Sequence, residues 1–247
     1  MKQALENSSS GHIDPRLSVI GKRLSRLKHI LVFASAKGGV GKSSLACLSA
    51  LNLAKSGLAT GLLDLDFHGA SSHIFLGIHP DFPEEEGGIL PLDGPEGLKF
   101  MSITAFTGDS GLPLRGNDIS NAIIEILAVT IWRDIDTLII DMPPGIGDEV
   151  LDLLRFIQKS AFFLVSTPSV LSRKVTGRLE AVLTDSGVDV KGLIINMDEL
   201  PDIVEINVSV DEHAAVIGRV PKDNRFEEKI GKPKELLESG PSTAMET

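Results

Sequence analysis

An apolar run followed by a glycine-rich segment constrains the fold of this chain more than any other feature. Residues 29–34 read His-Ile-Leu-Val-Phe-Ala, and residues 35–44 read Ser-Ala-Lys-Gly-Gly-Val-Gly-Lys-Ser-Ser before a helical pattern begins. Glycines let backbone N–H groups turn inward without a Cβ clash, and such amides form a concave anion site. The amino end of the following helix adds partial positive charge. The segment therefore predicts a phosphate-binding loop between a strand and a helix.

The residue types in this loop suit a nucleoside polyphosphate. Lys42 is expected to neutralise the β- and γ-phosphates, and the Ser43 hydroxyl is a candidate Mg²⁺ ligand. The alternative is a glycine-rich turn with a chance lysine, but Lys-Ser at the start of a helix disfavours it. The candidate nucleotide contacts in the loop are Lys37, Gly38, Gly39, Val40, Gly41, Lys42, Ser43 and Ser44.

Short apolar runs alternate with segments of helical periodicity along most of the chain. Runs that are apolar throughout suit strands buried on both faces, and β–α alternation favours right-handed crossovers between parallel strands. We therefore expect an α/β fold, with a doubly wound, mostly parallel sheet flanked by helices. The predicted strands are 29–34, 58–64, 137–141, 161–166, 192–196 and 214–220, and the predicted helices lie near 42–56, 115–131, 148–158, 169–185 and 224–238.

The pattern predicts one domain between two terminal segments. Residues 1–28 comprise a polar leader and a short basic amphipathic helix, residues 29–240 form the domain, and residues 241–247 are expected to be a flexible tail. The basic helix either lies on the domain surface with a solvated charged face or docks on a membrane or partner. Residues 77–97 are rich in turn formers and predict a surface loop, with a small hairpin at 89–103.

Charge and cysteine content exclude several function classes. The 24 Lys and Arg residues against 34 Asp and Glu give a net charge of −10, which disfavours nucleic-acid binding. Cys47 is the only cysteine, so one chain can form neither an internal disulfide nor a multi-cysteine metal site. No run of 18 apolar residues or apolar signal-peptide core is present, which predicts a cytoplasmic protein without stable membrane association.

Carboxylates stand at the ends of two further apolar runs. Asp64 and Asp66 end the second predicted strand, and Asp141 ends the third. Asp141 is expected to hold Mg²⁺ mainly through water, because Mg²⁺ dehydrates reluctantly. Gly145 and Gly147 leave the next loop free to respond to the γ-phosphate. The alternative for an acid at such a position is a helix cap.

The loop departs from the standard phosphate-loop pattern, because Ala36 replaces its first glycine and Lys37 adds a second lysine. This string resembles the deviant Walker A motif of the MinD, ParA and nitrogenase iron-protein class. The resemblance implies that the chain binds ATP and forms a homodimer, and that Lys37 stabilises transition-state charge in the partner's site. The alternative for Lys37 is an exposed loop lysine. The resemblance also implies that Asp66 is a residue of the Mg²⁺ site and orients the attacking water there, with Asp64 in support.

Further strings narrow the resemblance to the Mrp branch, the ApbC-type iron–sulfur cluster carriers. The coverage is roughly residues 29–240. The resemblance implies that Asn196 contacts adenine and that the loop near Pro221 closes over the base. The alternative for Asn196 is a strand-end cap. The matching strings lie at 64–71, 88–91, 97–102, 115–116, 141–148, 166–168, 192–197 and 218–223.

The chain lacks the Cys-x-x-Cys pair that carriers of this branch have shortly after the Asn-Met at 196–197. Residues 198–213 contain no thiol, so the usual bridging iron–sulfur cluster is not expected. Carboxylates are poor substitutes for thiolates. Cys47 is predicted to be a buried packing residue. An acidic stretch with one histidine could bind another metal, although a solvated loop is favoured; its residues are Asp202, Asp211, Glu212 and His213.

Three hypotheses on function follow. The first is a slow Mg²⁺-dependent ATPase that acts as a switch in the maturation of iron–sulfur or other metallocofactor proteins, with a client metalloprotein or assembly factor as partner. The second is a MinD- or ParA-like ATPase that recruits partner proteins. The third is a regulatory partner that forms mixed dimers with a cysteine-bearing relative.

Overall fold

The apolar runs of the sequence become the central strands of one sheet. The computed structural model describes residues 14–67, 69–79, 81–107, 117–145, 147, 154–157, 160–199 and 214–245. Within these residues the sheet has eight strands. They are β1 His29–Ala34, β2 Thr60–Asp64, β3 Leu92–Asp93, β4 Lys99–Ser102, β5 Thr137–Asp141, β6 Ala161–Ser166, β7 Asp189–Asp198 and β8 Val216–Pro221.

The strand order is β3-β4-β2-β5-β1-β6-β7-β8. Every neighbouring pair is parallel except β3 with β4, which run antiparallel. The predicted doubly wound, mostly parallel sheet is therefore confirmed. The short β3–β4 pairing is the hairpin predicted within residues 89–103, and its second strand joins the sheet beside β2.

Helices cover both faces of the sheet, as the apolar strands require. Alternate residues of one strand enter different apolar clusters: Val32 packs with α1 and α5, whereas Phe33 packs with α2. The helices are α1 Pro15–Leu24, α2 Lys42–Lys55, α3 Ser72–Leu76, α4 Thr104–Thr107, α5 Asn117–Val129, α6 Val170–Asp185, α7 Pro233–Leu237 and α8 Gly240–Met245, with 3₁₀ turns at Pro95–Gly97 and Phe226–Lys229.

The basic helix α1 packs against α5 on the outside of the sheet. Its Ile20 and Leu24 are buried in the main apolar cluster. The Arg16 guanidinium donates to Glu125 at 3.2 Å, and Arg23 donates to the Val129 carbonyl at 2.6 Å. These contacts favour the surface-packed alternative for this helix. No helix in the described ranges is long and apolar enough to span a bilayer.

The prediction of one helix over 224–238 is wrong. The chain there forms a 3₁₀ turn and then the short α7. Gly231 separates them in a left-handed conformation with φ 77°, and its amide donates to the Phe75 carbonyl at 3.0 Å. Pro233 cannot continue a helical hydrogen-bond pattern and instead begins α7.

The prediction of a flexible tail over 241–247 is wrong for residues 241–245. These residues belong to α8, and Pro241 and Ser242 are buried. The Ser242 hydroxyl donates to Asn52 Oδ1 at 3.0 Å, and Asn52 Nδ2 donates to the Ser242 carbonyl at 3.2 Å. This pair of hydrogen bonds fixes the end of the chain to α2.

Three sequence-based expectations fall outside the described residues. The leader up to residue 13 and most of the helix predicted over 148–158 belong to this group. The acidic stretch from Asp202 to His213 does so as well. Within the residues that are described, no group of three or more His, Cys, Asp or Glu side chains could hold a metal.

Candidate nucleotide-binding site

The glycine-rich loop lies where the strand order of the sheet reverses. It leaves β1 at Ala34 and enters α2 at Lys42. β1 is flanked by β5 and β6, so the chain crosses to one side after β1 and to the other side after β5. In open α/β sheets, the crevice at the carboxyl ends of the strands at such a point is where ligands bind.

Two glycines give the loop its shape. Gly39 and Gly41 have φ values of 77° and 81°, in the left-handed region that residues with a Cβ rarely adopt. A Cβ at position 41 would lie 2.1 Å from Asn196 Nδ2, so close packing also requires glycine there. Lys37 and Gly38 are exposed at the open side of the loop. The loop thus packs closely against Asn196 at Gly41 and is exposed to solvent at Lys37.

A buried ion pair joins the start of α2 to the end of β5. The Lys42 ammonium contacts Asp141 Oδ1 and lies 3.2 Å from the Ser43 hydroxyl. Lys42 is 5% exposed and Asp141 is fully buried. The second carboxylate oxygen, Asp141 Oδ2, has no hydrogen-bond partner within the described part of the chain. A buried carboxylate with an unpartnered oxygen beside a hydroxyl is a hard oxygen donor set, which fits Mg²⁺.

Burial raises the pKa of Asp141 to about 6; the Lys42 charge opposes this shift and the nearby Asp64 adds to it. Between the ordinary pKa of an aspartate and about 6, the native state therefore keeps a proton that the unfolded chain has released, whereas above about 6 the carboxylate is the charged partner of Lys42. The contribution of Asp141 to stability thus falls as pH rises towards 6. A cation bound to the carboxylate would lower the pKa of Asp141 instead.

Asp64 holds the loop that carries Asp66. Asp64 is buried, and its two oxygens accept the amides of Asp66 at 3.0 Å and Ser72 at 3.2 Å. Burial raises the pKa of Asp64. Asp66 is half-buried and its Oδ1 accepts the Gly69 amide at 3.0 Å. Asp64 therefore fixes the backbone around Asp66, and its supporting role in catalysis stays a prediction.

Asn196 lies beside the glycine-rich loop. It is buried in β7, and its Nδ2 donates to the Val40 carbonyl at 2.9 Å. The sequence did not indicate this hydrogen bond, because Asn196 and Val40 are 156 positions apart along the chain. Pro221 ends β8, in register with Asp198 of β7. Contact of Asn196 and Pro221 with adenine remains a prediction.

Cys47 is buried in α2, and burial raises the pKa of its thiol well above the ordinary value. The predicted packing role is confirmed.

Four other residues in the strings that carry the family resemblance lie outside the described residues. They are His68, Arg115, Gly116 and Asp148.

The loop between β1 and α2, the buried lysine and the carboxylate at the end of β5 define a P-loop NTPase. Solved structures support this class. A nucleotide-binding protein from Archaeoglobus fulgidus, in complex with ADP, superposes with a TM-score of 0.75 at 25% identity, covering 92% of this chain and 95% of that one. The cell-division ATPase MinD from Pyrococcus furiosus shares the fold, with a TM-score of 0.66 at 18% identity over 88% of this chain and 95% of that chain.

The chain belongs to the ParA-type family described as NUBPL iron-transfer P-loop NTPases, whose model matches residues 26–205. The iron–sulfur cluster carrier protein of Methanocaldococcus jannaschii is 36% identical over 185 residues, covering 72% of this chain and 63% of that protein. The NUBPL iron–sulfur cluster transfer protein of Dictyostelium discoideum is 31% identical over 195 residues, covering 77% and 59%. The chain thus spans about three-fifths of the length of these relatives. The predicted family resemblance is confirmed.

Replacing Gly41 with alanine is predicted to destabilise the ligand-free protein by about 1–3 kcal/mol, because it combines an unfavourable φ with overlap on Asn196. Gly38→Ala is the matched control, since a Cβ at residue 38 meets nothing within 4 Å and its φ lies outside the left-handed region. Its cost should stay within about 0.5 kcal/mol. Urea denaturation measures both, and equal costs would contradict the described packing of the loop.

Proposed function

We propose that this chain is a Mg²⁺-dependent ATPase that dimerises on binding ATP and acts as a nucleotide switch in the maturation of iron–sulfur or other metallocofactor proteins. The buried pair of Lys42 and Asp141, set below an open glycine-rich loop, is the observation that carries the proposal. Family membership and the names of relatives, iron–sulfur cluster carrier and transfer proteins, support the metallocofactor context.

Phosphate binding follows from the charge arrangement of the loop. The amides of residues 38–44, including those at the amino end of α2, would donate hydrogen bonds to the β- and γ-phosphates. A nearby anion stabilises a buried ammonium group; Asp141 supplies one in this structure and a phosphate would supply another. As Lys42 turns to the phosphate, the Asp141 carboxylate becomes available to a cation.

Ser43, Asp66 and Asp141 would hold Mg²⁺ together with the phosphates. The cation, when bound, would neutralise charge on the phosphate oxygens. Asp141 offers the unpartnered oxygen described above. Asp64, through its two backbone contacts, keeps the segment that carries Asp66 in place.

Hydrolysis is an in-line attack of water on the γ-phosphate. Asp66 would orient that water, and Lys42 would balance charge from within the same protomer. The Lys37 side chain is exposed, which suits a residue that reaches into a second protomer. Turnover should be slow, because a switch must remain in each nucleotide state long enough for a partner to respond.

The chain would act on cofactor proteins without carrying a bridging cluster itself. Residues 198–213, where the carriers of the Mrp branch have their Cys-x-x-Cys pair, contain no thiol. The one cysteine, Cys47, is fully buried in α2. Client metalloproteins or assembly factors are therefore the proposed partners.

A MinD- or ParA-like recruiting ATPase is the second candidate. Val170 and Leu171, which follow β6, are 46% and 64% exposed. Exposed apolar side chains near a nucleotide site suit the docking of a partner protein. The net charge of −10 does not favour nucleic acid as that partner.

Lys42→Ala should weaken ATP binding by about 10- to 100-fold, because it removes a charged phosphate contact. Fluorescent-nucleotide titration measures this loss.

Lys37→Ala should leave ATP binding by the monomer intact and suppress both hydrolysis and ATP-driven dimerisation. Lys191→Ala is the control, since Lys191 is a half-exposed lysine paired with Asp189 at the amino end of β7. Fluorescent-nucleotide titration, phosphate release and light scattering measure these effects. Equal turnover of the wild type and Lys37→Ala would contradict the role of Lys37 in trans.

Anaerobic reconstitution with iron and sulfide is expected to give no stoichiometric cluster. Thiolates are needed to hold a cluster, and burial keeps the Cys47 thiol protonated and inaccessible. Visible absorption after desalting measures the outcome, with Cys47→Ser as the control for adventitious binding. One cluster per dimer with thiolate absorption would show that the chain carries a cluster after all.

A further inference from the structure

Ser35 contacts two functional loops at once. It follows β1 directly and is 1% exposed. Its hydroxyl donates to the Lys37 carbonyl at 3.0 Å, and its own carbonyl accepts the Gly145 amide at 2.8 Å. One buried residue therefore joins the loop after β5 to the backbone of the exposed lysine.

The contact with Gly145 extends the pairing of β1 and β5 beyond the strands. Phe33 is in register with Asp141, and the Met142 amide donates to the Phe33 carbonyl at 3.1 Å. The Gly145 amide then reaches Ser35 through a left-handed turn with φ 98°. Gly145 is therefore joined to the first residue after β1 by a backbone hydrogen bond.

The contact with Lys37 limits the freedom of that lysine at its base. A lysine side chain has four rotatable bonds, and ordering it costs up to about 2 kcal/mol of conformational entropy. Fixing the carbonyl of Lys37 leaves only the side chain to be ordered when it engages a phosphate. The hydroxyl of Ser35 is the group that fixes this carbonyl.

We propose that Ser35 is a positioning residue that couples the Gly145 loop to Lys37, so that the state of the loop after β5 sets the placement of the lysine. This inference rests on the proposed ATPase function. Ser35 contacts neither phosphate nor water in this scheme and acts only through its two neighbours. Removing its hydroxyl breaks the contact with Lys37 and leaves the backbone contact with Gly145, so turnover should fall while nucleotide affinity stays unchanged.

Ser35→Ala tests the proposal through steady-state kinetics. We expect kcat to fall about five- to tenfold, the effect of one hydrogen bond, with KM and the Kd for ATP unchanged. In the Lys37→Ala background, Ser35→Ala should cause no further loss, because the two residues act as a unit. Ser35→Cys keeps a side chain of similar size with a weaker hydrogen-bond donor, so its kcat should lie between that of the wild type and that of Ser35→Ala.

Ser160→Ala is the matched control. Ser160 is also buried, and its hydroxyl donates to the Ile157 carbonyl at 2.5 Å away from both loops. Its loss should lower the melting temperature about as much as Ser35→Ala while leaving kcat unchanged.

Several results would overturn the proposal. They are wild-type kcat in both Ser35→Ala and Ser35→Cys, a rise in KM in place of a fall in kcat, or losses from Ser35→Ala and Lys37→Ala that multiply. A wild-type protein that shows no ATP turnover would instead overturn the proposed function, and the coupling with it. If Ser35→Ala does not fold, Ser35→Cys alone decides between these outcomes.

Discussion

The ion pair between Lys42 and Asp141 is the interaction on which the rest of the site depends. Both groups are almost completely withdrawn from water, so each would be strongly destabilising without the other. The pair joins residues 99 positions apart and brings the start of α2 to the end of β5. In the proposed nucleotide complex, a phosphate would replace the carboxylate without leaving Lys42 unpaired.

The surrounding structure holds the glycine-rich loop from several directions. Asn196 supports the loop at Val40, and Ser35 connects its start to Gly145. Asp64 fixes the neighbouring segment through two backbone amides. Asn196 and Asp64 act through their side chains, whereas Ser35 contacts Gly145 through its backbone carbonyl. Together these contacts hold the backbone at the base of the loop, while its open side at Lys37 stays exposed to solvent.

Local patterns predicted most of the fold and the position of the glycine-rich loop between β1 and α2. Apolar runs in six of the strands and glycines before Lys42 carry their information within a few residues. The errors came from packing between distant segments. Ser242 is ordered by Asn52 at the far end of α2, and Gly231 interrupts a helical pattern because its amide pairs with Phe75. Neither partner could be identified from spacing along the chain.

Polyphosphate binding by the loop over residues 37–44 is tested most directly by isothermal titration of the wild-type chain with Mg·ATP at concentrations up to the millimolar range. We expect saturable binding with one nucleotide per chain, together with a loss of most of the binding heat in Lys42→Ala. Titration without saturable heat, or equal binding by Lys42→Ala, would show that the loop does not bind a polyphosphate in this way.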